Sequence, residues 1–157
     1  MSLEGKKAPE FSLEGSDGQK HGLSECAGKT VVIYFYPKDN TPGCTKEACA
    51  FRDLSPQMLD VDAVLLGVSR DSIKSHDKFI RDFSLPFVLL SDPDASMMKA
   101  YGAFGEKVMY GRKSEGAIRS TVIVDPAGMV VRHWTKVAKA EEHPAEVVNF
   151  LLGMKKG

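Results

Sequence analysis

A chain of 157 residues has the size of one ordinary domain and can bury about 70% of the surface that its unfolded form exposes. Its 21 basic and 21 acidic side chains balance, and neither sign forms a long run, so no field exists that would attract nucleic acid or an anionic membrane. We therefore expect one domain over residues 1–157, and we expect neither nucleic acid nor membrane as a partner.

The first fifteen residues, MSLEGKKAPEFSLEG, lack the continuous apolar stretch of a secretory signal, and nowhere does the chain approach a run of about 18 apolar residues. These features predict a cytoplasmic protein. Thiols are kept reduced in the cytoplasm, so the three cysteines are expected to be catalytic, metal-binding or core residues rather than structural disulfides.

The first half of the chain alternates buried strands with helices. Apolar runs at 30–36 and 63–69 predict two strands, and the segment from Thr41 to Leu59 between them has the length and periodicity of a helix. A second helix begins after Ser72, and PFVLL at 86–90 predicts a third strand. This order of elements is typical of a parallel βαβαβ arrangement.

The second half predicts an antiparallel pair and a closing helix. A short helix and loop follow residue 90, and apolar runs at 118–124 and 129–135 are joined by DPAG, which is short enough for a hairpin. The segment 140–156 has a helical apolar face and ends in lysines that complement the helix dipole. Together the two halves predict an α/β fold with a mixed central sheet and helices on both faces.

The start of the first long helix carries a candidate nucleophile. Thr41 is a suitable N-cap and Pro42 suits the first helical position, which places Cys44 in the first turn. Unpaired backbone N–H groups at the positive end of a helix favour a thiolate over a thiol. The alternative is that Cys44 is an inert core residue, as first-turn cysteines more often are.

These residues match a known pattern. Pro37, Thr41 and Cys44 satisfy Pro-x-x-x-Thr-x-x-Cys in full, within the longer stretch TPGCTKEAC and FRD. The chain resembles the peroxiredoxin family, and within it the bacterioferritin comigratory protein or peroxiredoxin Q group. Further similar stretches are LGVSRDSIKSHDKF, LLSDPD and EKVMYGRKSEGAIRSTVIVDPAG, so the resemblance covers most of the chain.

The resemblance implies a thioredoxin-like fold with extra N-terminal structure, and a thiol peroxidase that reduces hydrogen peroxide and organic hydroperoxides. Cys44 would be the peroxidatic cysteine, and Arg119 would stabilise its thiolate and the leaving oxygen. The Thr41 hydroxyl would hold the peroxide in line, and Pro37 would end the strand and shield the sulfur. Glu47 is a possible orienter of Arg119. From the residues alone, Arg119 could equally be a surface cation and Glu47 an ordinary acidic residue near a helix start.

Cys49 is the candidate resolving cysteine, which would form an intramolecular disulfide with Cys44 that thioredoxin then reduces. In a continuous α-helix, Cα atoms five residues apart are separated by about 8.7 Å. A disulfide needs less than about 7 Å. The first turns of the helix must therefore unwind before this bond can form, and Gly43 lowers the helix propensity there.

The remaining cysteine and the histidines do not predict a metal or cofactor site, and we expect neither. Cys26 is interpreted as a small filler at a helix end. None of the four histidines lies at ligand spacing from a cysteine: His21, His76, His133 and His143. Two other functions stay open, a thioredoxin-like protein disulfide oxidoreductase, which normally carries C-x-x-C, and a non-catalytic binding module. The sequence also leaves open a monomer or a weak homodimer.

Overall fold

The computed structural model describes residues 2–156, in which nine strands and four α-helices follow one another along the chain. The helices are α1 (Pro42–Asp60), α2 (Ile73–Phe83), α3 (Ser96–Ala100) and α4 (His143–Lys156), and a short 3-10 helix spans Leu23–Cys26. The strands are β1 (Ser12–Gly15), β2 (Lys20–Gly22), β3 (Thr30–Phe35), β4 (Ala63–Ser69), β5 (Val88–Ser91), β6 (Phe104–Met109), β7 (Arg112–Ala117), β8 (Ser120–Val124) and β9 (Val130–Trp134).

Seven strands form one sheet in the order β2-β1-β5-β4-β3-β8-β9. The central strands β3, β4 and β5 are parallel, and β8, β9, β1 and β2 extend the two sides in antiparallel fashion. Strands β6 and β7 form a separate antiparallel ribbon. The prediction of a mixed sheet is therefore confirmed. No helix within residues 2–156 is long and apolar enough to cross a membrane.

Each face of the sheet buries its own apolar cluster, because alternate residues of the central strands point to opposite faces. One face of β3 contributes Val32 and Tyr34 to a cluster that is covered by α1, α2 and α4, and Tyr36, directly after the strand, belongs to the same cluster. The other contributes Val31, Ile33 and Phe35 to a cluster with α3, the 3-10 helix and the N-terminal segment. Helices on both faces are therefore confirmed as well.

The predicted elements agree with the structure where a segment is buried and differ where it is exposed. The strands at 30–36 and 63–69, the helix after Ser72 and the antiparallel 118–124 and 129–135 pair are all present, with small shifts at their ends. The hairpins β1–β2 and β6–β7 were missed. Strand β7 is almost wholly exposed, so its side chains do not alternate between apolar and polar.

Helix α1 contains a proline in its interior. Pro56 has no N–H to donate to the carbonyl of Arg52, four residues earlier. The hydroxyl of Ser55 donates to that carbonyl instead, at 2.9 Å. Because the Arg52 carbonyl keeps a hydrogen-bond partner, one continuous helix can run from residue 42 to residue 60 through a proline.

Candidate active site

Cys44 lies just after the connection from the central strand β3 to α1. The loop 36–41 connects the two elements, and Cys44 falls in the first turn of the helix with its side chain only 2% exposed. Glu47 is one turn further along, and residues three apart share a helix face. The carboxyl of Glu47 is fully buried on that face.

Arg119, the residue directly before strand β8, reaches both of these side chains. In the antiparallel pairing of β3 with β8, Phe35 lies opposite Ser120, so Arg119 stands beside the loop that leads to Cys44. Its Nη2 donates to Sγ of Cys44 at 3.2 Å, and its Nη1 donates to Oε1 of Glu47 at 2.7 Å. The structure thus brings together three residues that were singled out from the sequence.

Glycine at position 43 is explained by the closeness of the guanidinium. A Cβ atom at Gly43 would lie 3.3 Å from Nη2 of Arg119, which is tighter than an ordinary van der Waals contact. A larger residue would press on the cation that contacts Sγ of Cys44. The Pro-Gly-Cys order therefore leaves room for the arginine.

For Glu47 and Arg119, burial and the neighbouring charges shift the pKa in opposite directions. Burial raises the pKa of Glu47 from 4.5 to about 7, although Arg119 pulls it down. Burial lowers the pKa of Arg119, but Glu47 and Cys44 outweigh it, so that pKa is raised. Tyr34 packs nearby, and its pKa is raised by burial and then by Glu47 and Cys44. The arginine stays charged while the carboxyl is balanced between its two forms at neutral pH.

Thr41 occupies the predicted N-cap position, with an extended backbone, but its side chain does not cap the helix. Its Oγ1 donates instead to the carbonyl of Lys38, at 2.8 Å. The prediction that the Thr41 side chain caps the helix is therefore wrong, although Thr41 does occupy the N-cap position. Among residues 2–156 no side chain caps the start of α1, so the first-turn amides face the region of Cys44 without a side-chain acceptor.

The other singled-out residues lie around this cluster or away from it. Pro37 is exposed and follows the end of β3. Cys49 is partly exposed in the second turn of α1, and all three cysteines are free. Cys26 is buried at the end of the 3-10 helix, where burial raises its pKa, in agreement with its interpretation as a filler at a helix end.

Four further residues near the site were not singled out from the sequence. Asp39 and His76 form a buried hydrogen-bonded pair at the loop 36–41, with Nδ1 of His76 at 2.7 Å from Oδ2 of Asp39. Partial burial and then Arg119 lower the pKa of Lys107 in β6, whereas Cys44 raises it, so this side chain lies close enough to interact with both. Tyr34 is the fourth. Lysine and tyrosine have no distinctive spacing here, whereas Asp39 lies inside the recognised motif and could have been noticed.

The arrangement suits a sulfur nucleophile. A thiolate next to a guanidinium is stabilised by charge, and the same cation can stabilise negative charge that develops on a departing atom. The uncapped amides at the helix start supply further donors. The cluster is therefore equipped for attack by sulfur on a substrate with an anionic leaving group.

Comparison with known proteins agrees with this chemistry. The model of the AhpC/TSA family matches residues 4–133. The chain is 46% identical to a putative peroxiredoxin bcp of Coxiella burnetii, covering 96% of this chain and 100% of the relative. It is 43% identical to peroxiredoxin Bcp of Bacillus subtilis, covering 98% of each.

Solved structures agree in the same way. A structure of Xanthomonas campestris peroxiredoxin Q has a TM-score of 0.86 and 43% identity, covering 91% of this chain and 90% of that one. A second, of the bacterioferritin comigratory protein of the same organism, has a TM-score of 0.87 and 42% identity over 92% and 91%, and was studied for the alkyl peroxide reduction activity of that protein. The fold of this chain is accordingly thioredoxin-like.

Proposed function

The chain belongs to the AhpC/TSA family and, within it, to the Bcp and peroxiredoxin Q group of peroxiredoxin enzymes, and from this we propose that Cys44 is its peroxidatic cysteine. The observation that carries the proposal is the 3.2 Å contact from Nη2 of Arg119 to Sγ, backed by the Glu47 carboxyl. Thiol peroxidase activity follows from membership of the group.

In the first step the Cys44 thiolate attacks one oxygen of a hydroperoxide. The S–O bond forms as the O–O bond breaks, and the leaving oxygen departs with the electron pair and takes up a proton as water or alcohol. Arg119 stabilises the thiolate before the attack and the leaving oxygen during it. Cys44 is left as a sulfenic acid, oxidised by two electrons.

Thr41 and the first-turn amides orient the peroxide in this proposal. Because the one proton of the Thr41 hydroxyl is donated to the Lys38 carbonyl, its oxygen is available to accept the O–H of the substrate. The amide of Cys44 donates to the peroxide from the helix start. Pro37 shields the sulfur from bulk water at the outer side of the loop.

In the second step Cys49 resolves the sulfenic acid. Its sulfur attacks Sγ of Cys44, water leaves, and an intramolecular disulfide remains. The continuity of α1 from residue 42 through both cysteines supports the need for unwinding, since their Cα atoms are about 8.7 Å apart in a regular helix. Thioredoxin supplies two electrons to reduce the disulfide, so the cycle belongs in the cytoplasm, where thioredoxin is kept reduced.

Hydrogen peroxide and organic hydroperoxides are the proposed substrates. A peroxidase assay coupled to thioredoxin and its reductase, with several hydroperoxides, tests the reductant and the substrate together. Counting free thiols after one addition of peroxide tests the mechanism: rapid loss of two thiols is expected in the wild-type protein and in Cys26→Ser. Inert thiols, or reduction of insulin disulfides without peroxide turnover, would overturn the proposal.

The unwinding step has its own test. We expect a Cys44–Cys49 disulfide in the oxidised protein, with lower helix content by far-UV circular dichroism and faster amide exchange at residues 41–52 than in the reduced form. In Cys49→Ser the Cys44 sulfenic acid should accumulate. A disulfide mapped to Cys26, with identical helices in both redox states, would contradict Cys49 as the partner.

A further inference from the structure

A second buried polar cluster lies directly beneath the loop that leads to Cys44. Asp39, at the centre of this loop, is 5% exposed although it carries a carboxyl group. Oδ1 accepts the hydroxyl of Tyr36 at 2.6 Å, and Oδ2 accepts the hydroxyl of Ser75 at 2.8 Å. The amide of Asp39 donates to Oδ2 of Asp71 at 2.9 Å. Both the backbone and the side chain of this loop residue are thus held.

His76 of α2 completes the cluster. It is fully buried, with Nδ1 at 2.7 Å from Oδ2 of Asp39 and Nε2 at 3.0 Å from the carbonyl of Leu90. A carbonyl oxygen can only accept a hydrogen bond, so Nε2 must carry a proton. The carboxyl group of Asp39 already accepts two hydroxyls, and it shares a further hydrogen bond with Nδ1 of His76. Both ring nitrogens therefore have partners, and the ring is fixed between Asp39 and the Leu90 carbonyl.

Stability alone is a poor reason for such a pair. Burying polar groups costs free energy unless each is hydrogen-bonded, and apolar groups of the same shape that replace both partners can be as stable. The fixed directions of the hydrogen bonds offer a different benefit. They tie the loop 36–41 to α2 and to the segment after β4, and His76 is itself held to β5 through the Leu90 carbonyl.

The clamped loop carries the group that orients the Thr41 hydroxyl. Thr41 donates to the carbonyl of Lys38, and Lys38 is the residue directly before Asp39. Displacement of Asp39 would move this carbonyl, and with it the Thr41 oxygen and the start of α1. The influence of His76 on the peroxide would therefore pass through Asp39, Lys38 and Thr41.

We propose that Asp39 and His76 are positioning residues, which hold the loop 36–41 in one place for the peroxide step and keep it there while α1 unwinds. The inference rests on the proposed function, because it assigns Thr41 and Cys44 the roles given above. Unwinding is then confined to residues after Thr41. The same clamp restores the Thr41 oxygen to its place when the helix forms again after reduction.

The test separates the peroxide step from the later steps. In a peroxidase cycle, kcat/KM for peroxide reports the attack by Cys44, whereas the rate of disulfide formation reports resolution by Cys49. Asp39→Asn is expected to lower kcat/KM for hydrogen peroxide by about 100-fold, the loss that a displacement of about 1 Å can cause. The conversion of the Cys44 sulfenic acid to the disulfide is expected to keep or exceed its wild-type rate. Amide exchange at residues 38–41 should become faster.

Ser75→Ala removes one donor to Asp39 and leaves the contact of Asp39 with His76 in place, so it provides a milder variant if Asp39→Asn fails to fold. It should lower kcat/KM in the same direction by a few fold. His133→Gln is the matched control, since His133 is buried and its Nδ1 accepts from the amide of Leu3, away from the loop. It should change neither rate.

Each outcome decides one question. A wild-type protein that reacts with hydrogen peroxide no faster than free cysteine would overturn the proposed function itself. If the wild-type protein reacts rapidly, the clamp is overturned by folded Asp39→Asn or Ser75→Ala that keeps the full kcat/KM. It is equally overturned by a loss of the same size in His133→Gln, which would indicate a general effect of lowered stability.

Discussion

Two buried polar clusters flank the start of α1, and they differ in how completely their hydrogen bonds are made. In the cluster of Asp39 and His76, both carboxylate oxygens and both ring nitrogens have partners. In the cluster of Cys44 and Arg119, Oε2 of Glu47 and the hydroxyl of Tyr34 are buried without a protein partner.

We infer from this difference that the Asp39 cluster holds the loop in place and that the Arg119 cluster takes part in the reaction. A buried polar network whose groups are all paired fixes one arrangement, whereas an unpaired buried group costs free energy and is retained where a reaction uses the site. In the Arg119 cluster the guanidinium donates to Sγ of Cys44, whereas the neighbouring Oε2 of Glu47 has no protein partner. We therefore expect changes in the Arg119 cluster to affect rates most, and changes in the Asp39 cluster to affect the placement of the loop.

The largest effect is expected from removal of the nucleophile. Cys44→Ser should reduce peroxide turnover to below a few per cent of wild type, because a serine hydroxyl in this position stays protonated and is a much weaker nucleophile. The coupled peroxidase assay measures it, with Cys26→Ser as the matched control that keeps full activity. Substantial residual turnover in Cys44→Ser would refute the assignment of the nucleophile.

Removal of the cation should come next. Arg119→Met is expected to lower kcat/KM for peroxide by about 10²–10³-fold, the range for loss of one electrostatic donor at a reacting centre. Alkylation of Cys44 at neutral pH should also become slower, since the thiolate loses its nearest fixed charge. Arg132→Met removes an exposed ion pair with Glu4 and serves as the control. Unchanged alkylation across the pH range would speak against Arg119 as the stabilising group.

Glu47 should make the folded state less stable as the pH rises. Its pKa is about 7 in the fold against 4.5, so the unfolded chain loses this proton first, and ionisation favours unfolding between these two values. The loss amounts to on the order of 3 kcal/mol and should be absent in Glu47→Gln.

The measurement is the free energy of unfolding by urea at pH 4.5 and at pH 7 for both proteins. His143 acts in the opposite direction, because burial lowers its pKa to about 4, so its contribution is lost as the pH falls below 6.5. That contribution is common to both proteins and cancels in the difference. Glu115→Gln, an exposed change, should keep the wild-type pH dependence. An equal pH dependence in Glu47→Gln would show that the carboxyl ionises alike in both states.

The smallest effects are expected from two adjacent tyrosines, and they should have opposite signs. Tyr36 and Tyr34 stack with ring centroids 5.4 Å apart, but only Tyr36 has a partner, Oδ1 of Asp39. Tyr36→Phe should cost about 1–3 kcal/mol, because it leaves a buried acceptor, Oδ1 of Asp39, without this partner. Tyr34→Phe removes an unpaired buried hydroxyl and should be neutral or stabilising by up to about 1 kcal/mol. Thermal unfolding of the two variants tests the comparison, and equal losses would remove the contrast between the clusters.

The sequence predicted the reactive cluster better than its support. Cys44, Thr41 and Pro37 lie within eight residues, and their fixed spacing could be recognised directly. Arg119 is 75 residues from Cys44, and only the resemblance to a family connected them before the sheet register placed Arg119 beside the loop. Asp39 and His76 come together by packing of α2, which no local pattern specifies.

The hydroxyl of Thr41 illustrates a different limit. Threonine before a proline and a helix predicts an N-cap, and the backbone obeys that prediction. The direction of its Oγ1 depends on where the Lys38 carbonyl lies, and the Asp39 cluster decides that. The exposed ribbon β6–β7 was missed for a related reason, since its strands are held by pairing with each other rather than by an apolar face.

The proline inside α1 interrupts the backbone hydrogen bonds of this helix near its C-terminal end. Helix unwinding that starts at the first turn propagates through successive backbone hydrogen bonds, each of which depends on its neighbours. At Pro56 that series is interrupted, because the carbonyl of Arg52 is held by the Ser55 hydroxyl rather than by an amide. Unwinding from the first turn would therefore meet a break in this series at Pro56, so the final residues of α1, which include the buried Met58, can keep their place while the segment that carries Cys44 and Cys49 opens.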